Sequence, residues 1–455
     1  MTYNFMLKSI LSIILLLSAS ITNAQNSDEE KADSTKLATK ELPLEPKRKI
    51  SFNTQQGTWI SVDVHPDGKT LIFDLMGNLY TIPITGGKAT QITEGMAYDV
   101  HPRYSPDGKS IVYISDKSGS DNVWTMHLET KEDKQLTKDK NKYYASADWS
   151  PDGNYIAGVS GRRNMKLHLY HKDGGSGAQL IKEPKGPNDK DPKNLKTIDP
   201  AFSADGKLIY YSRRIGAWNY NAQLPQYQIG TYDLEDGDLE TITSRYGSAF
   251  TPTLSDDGNW LVYGSRFEDQ TGLVLRNLKT GDERWLAYPV QRDEQESIAP
   301  LGVLPAMSFT PDSKSLIASY GGKIHSISLS TNQATEIPFQ VDVDLDMGPM
   351  VSFKYPIEDT PEALVTQIRD AVPSPDGTKL AFTALNRLYV MDFPNGNPKR
   401  LTTNNFTEAQ PAWSPDGKDL VFTTWKQGGG HLYKVNVTGK TVITRLTNQA
   451  GIFNN

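Results

Sequence analysis

Eight aspartates recur in one local setting, and a carboxylate held on a loop is a side chain that can bind a hard metal ion or move a proton. Each lies in a short run of the Ser-Pro-Asp-Gly type, such as SPDG at 105–108 and at 150–153. The same residues also suit a tight turn, since Pro sets φ, Asp bonds nearby amides and Gly takes the left-handed position. We predict structural turns at Asp67, Asp107, Asp152, Asp205, Asp257, Asp312, Asp376 and Asp416.

A second acidic group lies in VDVDLDMG, residues 341–348, where Asp342, Asp344 and Asp346 alternate with other residues. In a strand these three carboxylates share one face, and they are the candidate metal ligands of the chain. An EF-hand loop places Gly directly after the third acid, whereas here Met347 comes between them. The pattern therefore favours an amphipathic edge strand, whose acids face solvent and blunt the edge, over a Ca²⁺ site.

The other residue types that carry catalysis form no matching pattern. The seven His include no His-x-His pair, no Gly-x-Ser-x-Gly nucleophile motif occurs, and the chain has no Cys. The Gly-rich runs at 174–177 and 428–430 are not followed by the helix that a phosphate-binding loop requires. We therefore predict no catalytic and no cofactor-binding residue in this chain.

The flanks of the eight turns indicate the elements that hold them. An alternating apolar run follows each turn, as in KSIVYIS at 109–115, and a second run comes later, as in NVWTMHL at 122–128. Such alternation predicts strands, and the shortest repeat of about 40 residues has the length of a four-stranded propeller blade. We predict an all-β β-propeller with seven to eight four-stranded blades. A tandem of sandwiches or a β-helix would not give one turn motif per unit of this length. Equivalent turns are expected to lie far apart around the ring, so the eight carboxylates should not converge.

The N-terminus and the composition bear on location. Residues 1–24 have the form of a signal peptide, with Lys8 before an apolar run and small residues up to Ala24. Residues 25–49 are charged and poor in aromatics, which predicts a disordered leader before a propeller at 50–455. The net charge of −6 argues against nucleic-acid binding. No later apolar run is long enough to span a membrane after signal cleavage, so we expect a periplasmic or secreted protein.

The repeat resembles a known family. The pattern P-x-[WFY]-S-P-D-G-K, followed by an apolar strand and a closing Leu-Thr or Ile-Thr, is similar to the WD40-like PD40 propeller repeat of TolB. Its clearest copies are 102–113 with 123–129 and 411–422 with 432–436. The segments 57–95, 104–126, 321–339 and 388–402 resemble, more narrowly, the N-terminal propeller of exported bacterial amidohydrolase family proteins.

The narrower resemblance implies a propeller that provides binding, substrate gating or docking for a metal-dependent C–N hydrolase domain absent from this chain. A divalent metal such as zinc is then expected only in that missing catalytic domain. Because the chain ends within a repeat, at RLTNQAGIFNN, we expect an incomplete last repeat and a fragment of a longer protein. Two alternatives stay open: a stand-alone periplasmic TolB-like propeller that binds an envelope protein or peptide, and the propeller cap of a serine peptidase.

Overall fold

The computed structural model describes residues 45–162, 164–182, 194–216, 223–350, 352, 354–357 and 359–454. The predicted signal peptide and residues 25–44 of the predicted leader lie outside these ranges. Within them the chain contains β-strands and no helix, which confirms the all-β class. The chain divides into two compact units, Met1–Val351 (unit 1) and Ser352–Asn455 (unit 2).

Unit 1 contains six antiparallel four-stranded sheets, which we call blades 1 to 6, and each is built from strands that are close in sequence. Blades 1 to 3 comprise β2 (Val62–Val64), β3 (Thr70–Leu75), β4 (Asn78–Pro83) and β6 (Thr90–Gln91); β7 (Asp99–Tyr104), β8 (Ser110–Ser115), β9 (Asn122–His127) and β10 (Asp133–Gln135); and β11 (Tyr143–Trp149), β12 (Tyr155–Gly161), β13 (Lys166–His171) and β14 (Ala178–Gln179). Blades 4 to 6 comprise β15 (Leu195–Phe202), β16 (Leu208–Ile215), β17 (Gln228–Asp233) and β18 (Leu239–Thr241); β19 (Phe250–Leu254), β20 (Trp260–Phe267), β21 (Gln270–Asn277) and β22 (Glu283–Ala287); and β23 (Ser308–Phe309), β24 (Ser315–Tyr320), β25 (Lys323–Ser328) and β26 (Ala334–Ile337).

Blade 6 packs back against blade 1, so the six blades form a closed ring. The Val62 amide donates a hydrogen bond to the Ala306 carbonyl at 3.0 Å, and the Val64 amide donates to Ser308 Oγ at 3.3 Å. Apolar side chains of both blades, among them Phe73 and Ile317, share one buried cluster. The ring of unit 1 therefore holds six blades, fewer than the seven to eight that the eight repeats predicted for a single ring.

A separate three-stranded sheet joins the two ends of the ring. It consists of β1 (Arg48–Thr54), β5 (Gly87–Lys88) and β27 (Phe339–Met347), with β27 in the middle. β1 precedes blade 1 and β27 follows blade 6, and they pair antiparallel over seven residues, from Arg48 opposite Met347 to Thr54 opposite Val341. Closure does not require one blade to be assembled from both ends of the chain, because every blade is complete on its own.

Hydrogen bonds from side chains to backbone reinforce the contact between neighbouring blades. In blade 1, the two carboxylate oxygens of Asp74 accept from the amides of Ser61 and His101, each at 2.8 Å. His101 lies at a β-bulge in the first strand of blade 2, with a positive φ of 57°. Burial raises the pKa of Asp74 to about 7, and the two amide hydrogen bonds oppose that shift. The buried carboxyl therefore links blade 1 to blade 2 through the backbone.

Unit 2 contains the last two four-stranded sheets, blades 7 and 8. Their interface buries an apolar cluster that includes Ala381, Leu420 and Phe422. With these two blades, each of the eight turn motifs belongs to one four-stranded sheet. The strands are β28 (Arg369–Pro373), β29 (Lys379–Ala384), β30 (Arg387–Asp392) and β31 (Lys399–Arg400), then β32 (Thr407–Trp413), β33 (Asp419–Trp425), β34 (Leu432–Asn436) and β35 (Ile443–Arg445).

Candidate functional site

The eight repeated turns connect the first and second strands of each blade. In blade 2, Asp107 accepts a hydrogen bond from Ser105 Oγ at 2.6 Å and another from the Lys109 amide at 3.0 Å, while Gly108 has a φ of 70°. The other turn aspartates accept from the amide two residues ahead in the same way. These hydrogen bonds hold the pKa of Asp107 below its usual range. The structure thus places each turn carboxylate against its own turn.

The turns of neighbouring blades meet, contrary to the expectation that they lie far apart. An added Cβ on Gly153 would lie 3.7 Å from Pro106 of the preceding turn, and one on Gly206 would lie 3.7 Å from Pro151. The contact also closes the circle, because the turn of blade 1 at Gly68 lies against Pro311 of blade 6. The six turns of unit 1 therefore surround one opening, although their aspartate side chains point into the turns.

The opening leads into a pocket of about 370 Å³ that residues from all six blades line, and we call it the axial pocket. Three positions of each repeat in unit 1 contribute to its wall, and the one three residues before the turn aspartate supplies Val64, Tyr104, Trp149, Phe202, Leu254 and Phe309. The position one before the turn aspartate supplies Pro66, Pro106, Pro151, Ala204, Asp256 and Pro311. The position four before it supplies Asp63, Arg103, Asp148, Ala201, Thr253 and Ser308.

Four charged side chains occupy these positions, and three of them are acids. Arg103 Nη1 donates to Asp63 Oδ1 at 3.2 Å and to the Met307 carbonyl at 2.7 Å, so the single cation is held by blades 1 and 6. The second oxygen of Asp63 accepts from the Tyr104 amide at 2.7 Å. Asp148 Oδ2 accepts from the Phe202 amide at 3.2 Å. With Asp256 at the opening, the pocket carries an excess of two negative charges when all four groups are ionised.

The protein environment makes two of the acids weaker. Burial raises the pKa of the Asp148 carboxyl to about 6, although the Arg103 guanidinium opposes the change. The pKa of Asp256 is also raised, mainly by partial burial and in addition by the negative charge of Asp63. A cation that entered the pocket would favour the ionised form of both groups, so they are suited to binding positive charge.

Three buried polar atoms of wall residues lack a hydrogen-bond partner: Arg103 Nε, the indole Nε1 of Trp149 and Thr253 Oγ1. A buried polar atom without a partner is costly. The accessible wall of the pocket is acidic, which suits the binding of a positively charged group.

The candidate metal ligands lie elsewhere, on β27. Asp344 accepts from Lys49 Nζ and Ser51 Oγ, both at 2.9 Å, and Asp342 contacts Lys88 Nζ at 2.6 Å. Asp346 lies 3.9 Å from Lys49 Nζ. The acids of β27 therefore face cations of their own chain. The edge-strand prediction fails for the start of β27, where Phe339 and Gln340 pair with β5, but the acidic stretch Val341–Met347 pairs with β1 alone. In the described ranges no group of three or more His, Asp or Glu side chains could hold a metal ion.

Sequence reasoning missed the axial pocket because it concentrated on the turn aspartates. The signal lay beside them, at the positions one and four residues earlier. Most repeats have Pro one residue before the aspartate, and blade 5 instead has Asp256. At the position four residues before the aspartate, three repeats carry the charged residues Asp63, Arg103 and Asp148, which an alignment of the eight repeats also reveals.

The closed ring of four-stranded sheets, with a repeated turn in every sheet, defines the chain as a β-propeller protein. Residues 32–194 match the profile of the TolB beta propeller domain, PD40. This segment of the chain is therefore similar to the TolB beta propeller domain. Over the part of the chain that the structure describes, no helix is long and apolar enough to cross a membrane.

Curated relatives match the chain over less than half of its length. The chain is 26% identical over 189 residues to an uncharacterised protein of Agrobacterium fabrum, covering 41% of this chain and 60% of the relative. It is 28% identical over 206 residues to the Tol-Pal system protein TolB of Francisella tularensis subsp. mediasiatica, covering 43% of each. The matches thus span about half the length of these relatives. The solved structure of a TolB-like protein from Agrobacterium tumefaciens aligns with 58% of this chain and 87% of its own, at 19% identity and a TM-score of 0.43.

Proposed function

We propose that this chain is an exported TolB-like binding protein whose axial pocket holds a positively charged segment of an envelope protein or peptide. The observation that carries the proposal is the acidic wall of a pocket that six blades share. Asp63, Asp148 and Asp256 line the pocket together with one cation, Arg103, which is already bound to Asp63 and to a backbone carbonyl. The export step rests on the predicted signal peptide at residues 1–24.

The carboxylates of the pocket are the groups that bind such a segment. Carboxylates attract an ammonium or guanidinium group, and charge-assisted hydrogen bonds of this type are stronger than neutral ones. A volume of about 370 Å³ has room for one or two side chains rather than a folded domain.

The test uses a fluorescein-labelled Ala-Lys-Ala-Lys-Ala peptide in fluorescence anisotropy, with Ala-Glu-Ala-Glu-Ala as the charge control. We expect the lysine peptide to bind and the glutamate peptide not to bind. Asp256→Pro installs the residue that most other repeats carry, so it should preserve the turn and weaken binding by about tenfold through the loss of one charge. Asp282→Ala, in an exposed loop of the same blade, is the matched control. Equal binding of both peptides, or unchanged binding by the Asp256→Pro variant, would contradict the proposal.

Binding should also depend on pH in a defined direction. The raised pKa of Asp148, about 6, means that this carboxylate becomes protonated as the pH falls from 7 to 5. Affinity for the lysine peptide should therefore decrease over this interval, while the lysine ammonium stays charged throughout. Anisotropy titrations at half-unit steps would measure the decrease, and an affinity independent of pH would show that Asp148 is not part of the binding site.

The narrower hypothesis, in which the propeller serves a metal-dependent C–N hydrolase domain in a longer protein, is a proposal of its own. It is supported by the sequence resemblance of segments such as 57–95 and 388–402 to the propellers of exported amidohydrolases. On this hypothesis residues 25–455 bind no zinc tightly and hydrolyse no amide or lactam substrate. Metal analysis of the purified chain and assays with such substrates would test it, and clear hydrolysis would refute it.

A further inference from the structure

The axial pocket is closed at the end away from the turns, because the connector between blades 5 and 6 crosses the ring there. This connector, residues 288–307, follows β22 and leads into β23. Its Leu304 amide donates a hydrogen bond to Thr251 Oγ1 of blade 5 at 3.1 Å. Its Ala306 amide donates to Ser61 Oγ, directly before the first strand of blade 1, at 3.3 Å.

The same connector reaches the remaining blades. Gly302 lies against blade 4, where an added Cβ would come within 2.9 Å of Asp199 Oδ1. Leu301 packs against the apolar cluster of blades 2 and 3, and its carbonyl accepts from Trp59 Nε1 at 3.1 Å. Residues 301–306 therefore contact five blades and continue into the sixth.

The layer of residues below the pocket leaves no passage around this connector. The wall of the pocket consists of positions one to five residues before the turn aspartate. The position six residues before it is at most 6% exposed in every blade of unit 1. The residues at this position are Ser61, His101, Ser146, Asp199, Thr251 and Ala306. The axial pocket is thus open at the turns and blind at the other end.

The carboxylates that a ligand can meet lie at two depths. Asp256 is exposed at the rim, one residue before its turn aspartate, whereas Asp148 is partly exposed and lies four residues before its own. Three residues of extended chain span about 10 Å. A lysine side chain extends only about 6 Å from its Cα. A lysine on a chain that lies across the opening can therefore reach Asp256 but not Asp148, so a group that meets Asp148 has to enter with its backbone.

We propose that the axial pocket binds the free amino end of an extended peptide, with the α-ammonium group at Asp148 and a following cationic side chain near Asp256. The inference rests on the proposed function and makes its ligand more specific. A chain cannot pass through a blind pocket, and about 370 Å³ is too small for the two strands of a hairpin, so only a chain end fits. A carboxyl end would bring like charge to the two acids, whereas an amino end brings the opposite charge.

The test compares two peptides of equal charge that differ at the amino end. One is Ala-Lys-Ala-Lys-Ala with a free amino end, and the other is N-acetyl-Lys-Lys-Ala-Lys-Ala, in which an added lysine replaces the lost charge. Both carry fluorescein at the carboxyl end, and their affinities for the full chain are measured by fluorescence anisotropy at pH 7. We expect the free amino end to bind at least about tenfold more tightly, because only its ammonium group reaches Asp148.

Two variants locate the amino end within the pocket. Asp148→Asn keeps an oxygen that can accept from the Phe202 amide and removes the charge, so the preference for the free amino end should fall from about tenfold to near one. Asp256→Pro removes the charge at the rim, so it should weaken both peptides by a similar factor and leave the preference unchanged. Binding of the acetylated peptide by the Asp148→Asn variant would show that this variant is folded.

The outcomes separate this inference from the proposed function. If the wild-type chain binds both peptides equally, the amino-end proposal is overturned, while the binding of cationic segments stands. A preference that persists in the Asp148→Asn variant would also overturn it. If neither peptide binds, the proposed function fails, and the amino-end proposal fails with it.

Discussion

Units 1 and 2 are built from the same repeat, yet they differ in how many faces of each blade are covered. In unit 1 the first strand of blade 2, β7, is buried at five of its six residues. The equivalent strand of blade 7, β28, is exposed at four of its five. The turn, the register and the strand lengths are nearly the same in both. The comparison shows that local sequence makes a blade, whereas stability depends on the neighbours that cover its two faces.

Replacing the leucine at one position of the repeat by alanine should give the largest difference in stability loss between the two units. Leu71 and Leu380 occupy the same position of the repeat, and only Leu71 is fully buried. Leu71→Ala should lower the free energy of unfolding of unit 1 by about 3 kcal/mol, because it leaves a cavity between blades 1 and 6. Leu380→Ala should cost unit 2 about 1 kcal/mol.

Hydrogen exchange by mass spectrometry at increasing urea concentration would measure the two units separately. Leu420→Ala is the control, since this residue is a fully buried leucine at the same position inside unit 2. It should behave like Leu71→Ala. If Leu380→Ala costs as much as Leu420→Ala, the Leu380 side chain is fully buried in solution, and the difference between the units disappears.

Removing a carboxylate that joins two blades should have a smaller effect. Asp74→Ala leaves the buried amides of Ser61 and His101 without acceptors, so it should cost about 2 kcal/mol. Asp370 of unit 2 accepts from the Gln410 amide at 3.1 Å in a comparable contact, but it is exposed, so water can replace it. Asp370→Ala should therefore cost well under 1 kcal/mol. Exchange rates of the Ser61 and His101 amides are the direct measurement, and slow exchange at both in the variant would show that Asp74 is dispensable.

Substituting a turn glycine should give the smallest difference between the two units. Gly108 and Gly377 have φ of 70° and 73°. Gly377→Ala should cost about 1 kcal/mol for the left-handed backbone alone, since an added Cβ meets nothing within 4 Å. Gly108→Ala should cost more, because its Cβ would come within 2.4 Å of the His65 ring. Thermal unfolding of both variants would measure the difference, and equal values would mean that the turns of blades 1 and 2 do not touch in solution.

The blades could be predicted from the sequence because their determinants are local. The alternation in KSIVYIS predicts β8, and the SPDG turn before it predicts the hairpin with Asp107 at its bend. The number of blades in the ring could not be predicted, since all eight repeats look alike and closure depends on contacts such as that between Val62 and Ala306. The axial pocket was missed for a related reason. Asp63 and Asp148 are far apart in sequence, and only the ring brings them to one wall.

The pairing of β1 with β27 has a consequence for the topology of unit 1. Residues 48–54 and 341–347 run side by side, so the two ends of a chain of about 300 residues are neighbours. Such a chain can be joined end to end and reopened elsewhere. A circular permutant that links residue 350 to residue 45 through a short flexible linker, and that starts in the exposed loop at residues 140–142 between blades 2 and 3, should keep the same ring of blades. The β1–β27 pair would then lie inside the permuted chain instead of joining its two ends. The first blade to be synthesised would no longer be the one next to this pair.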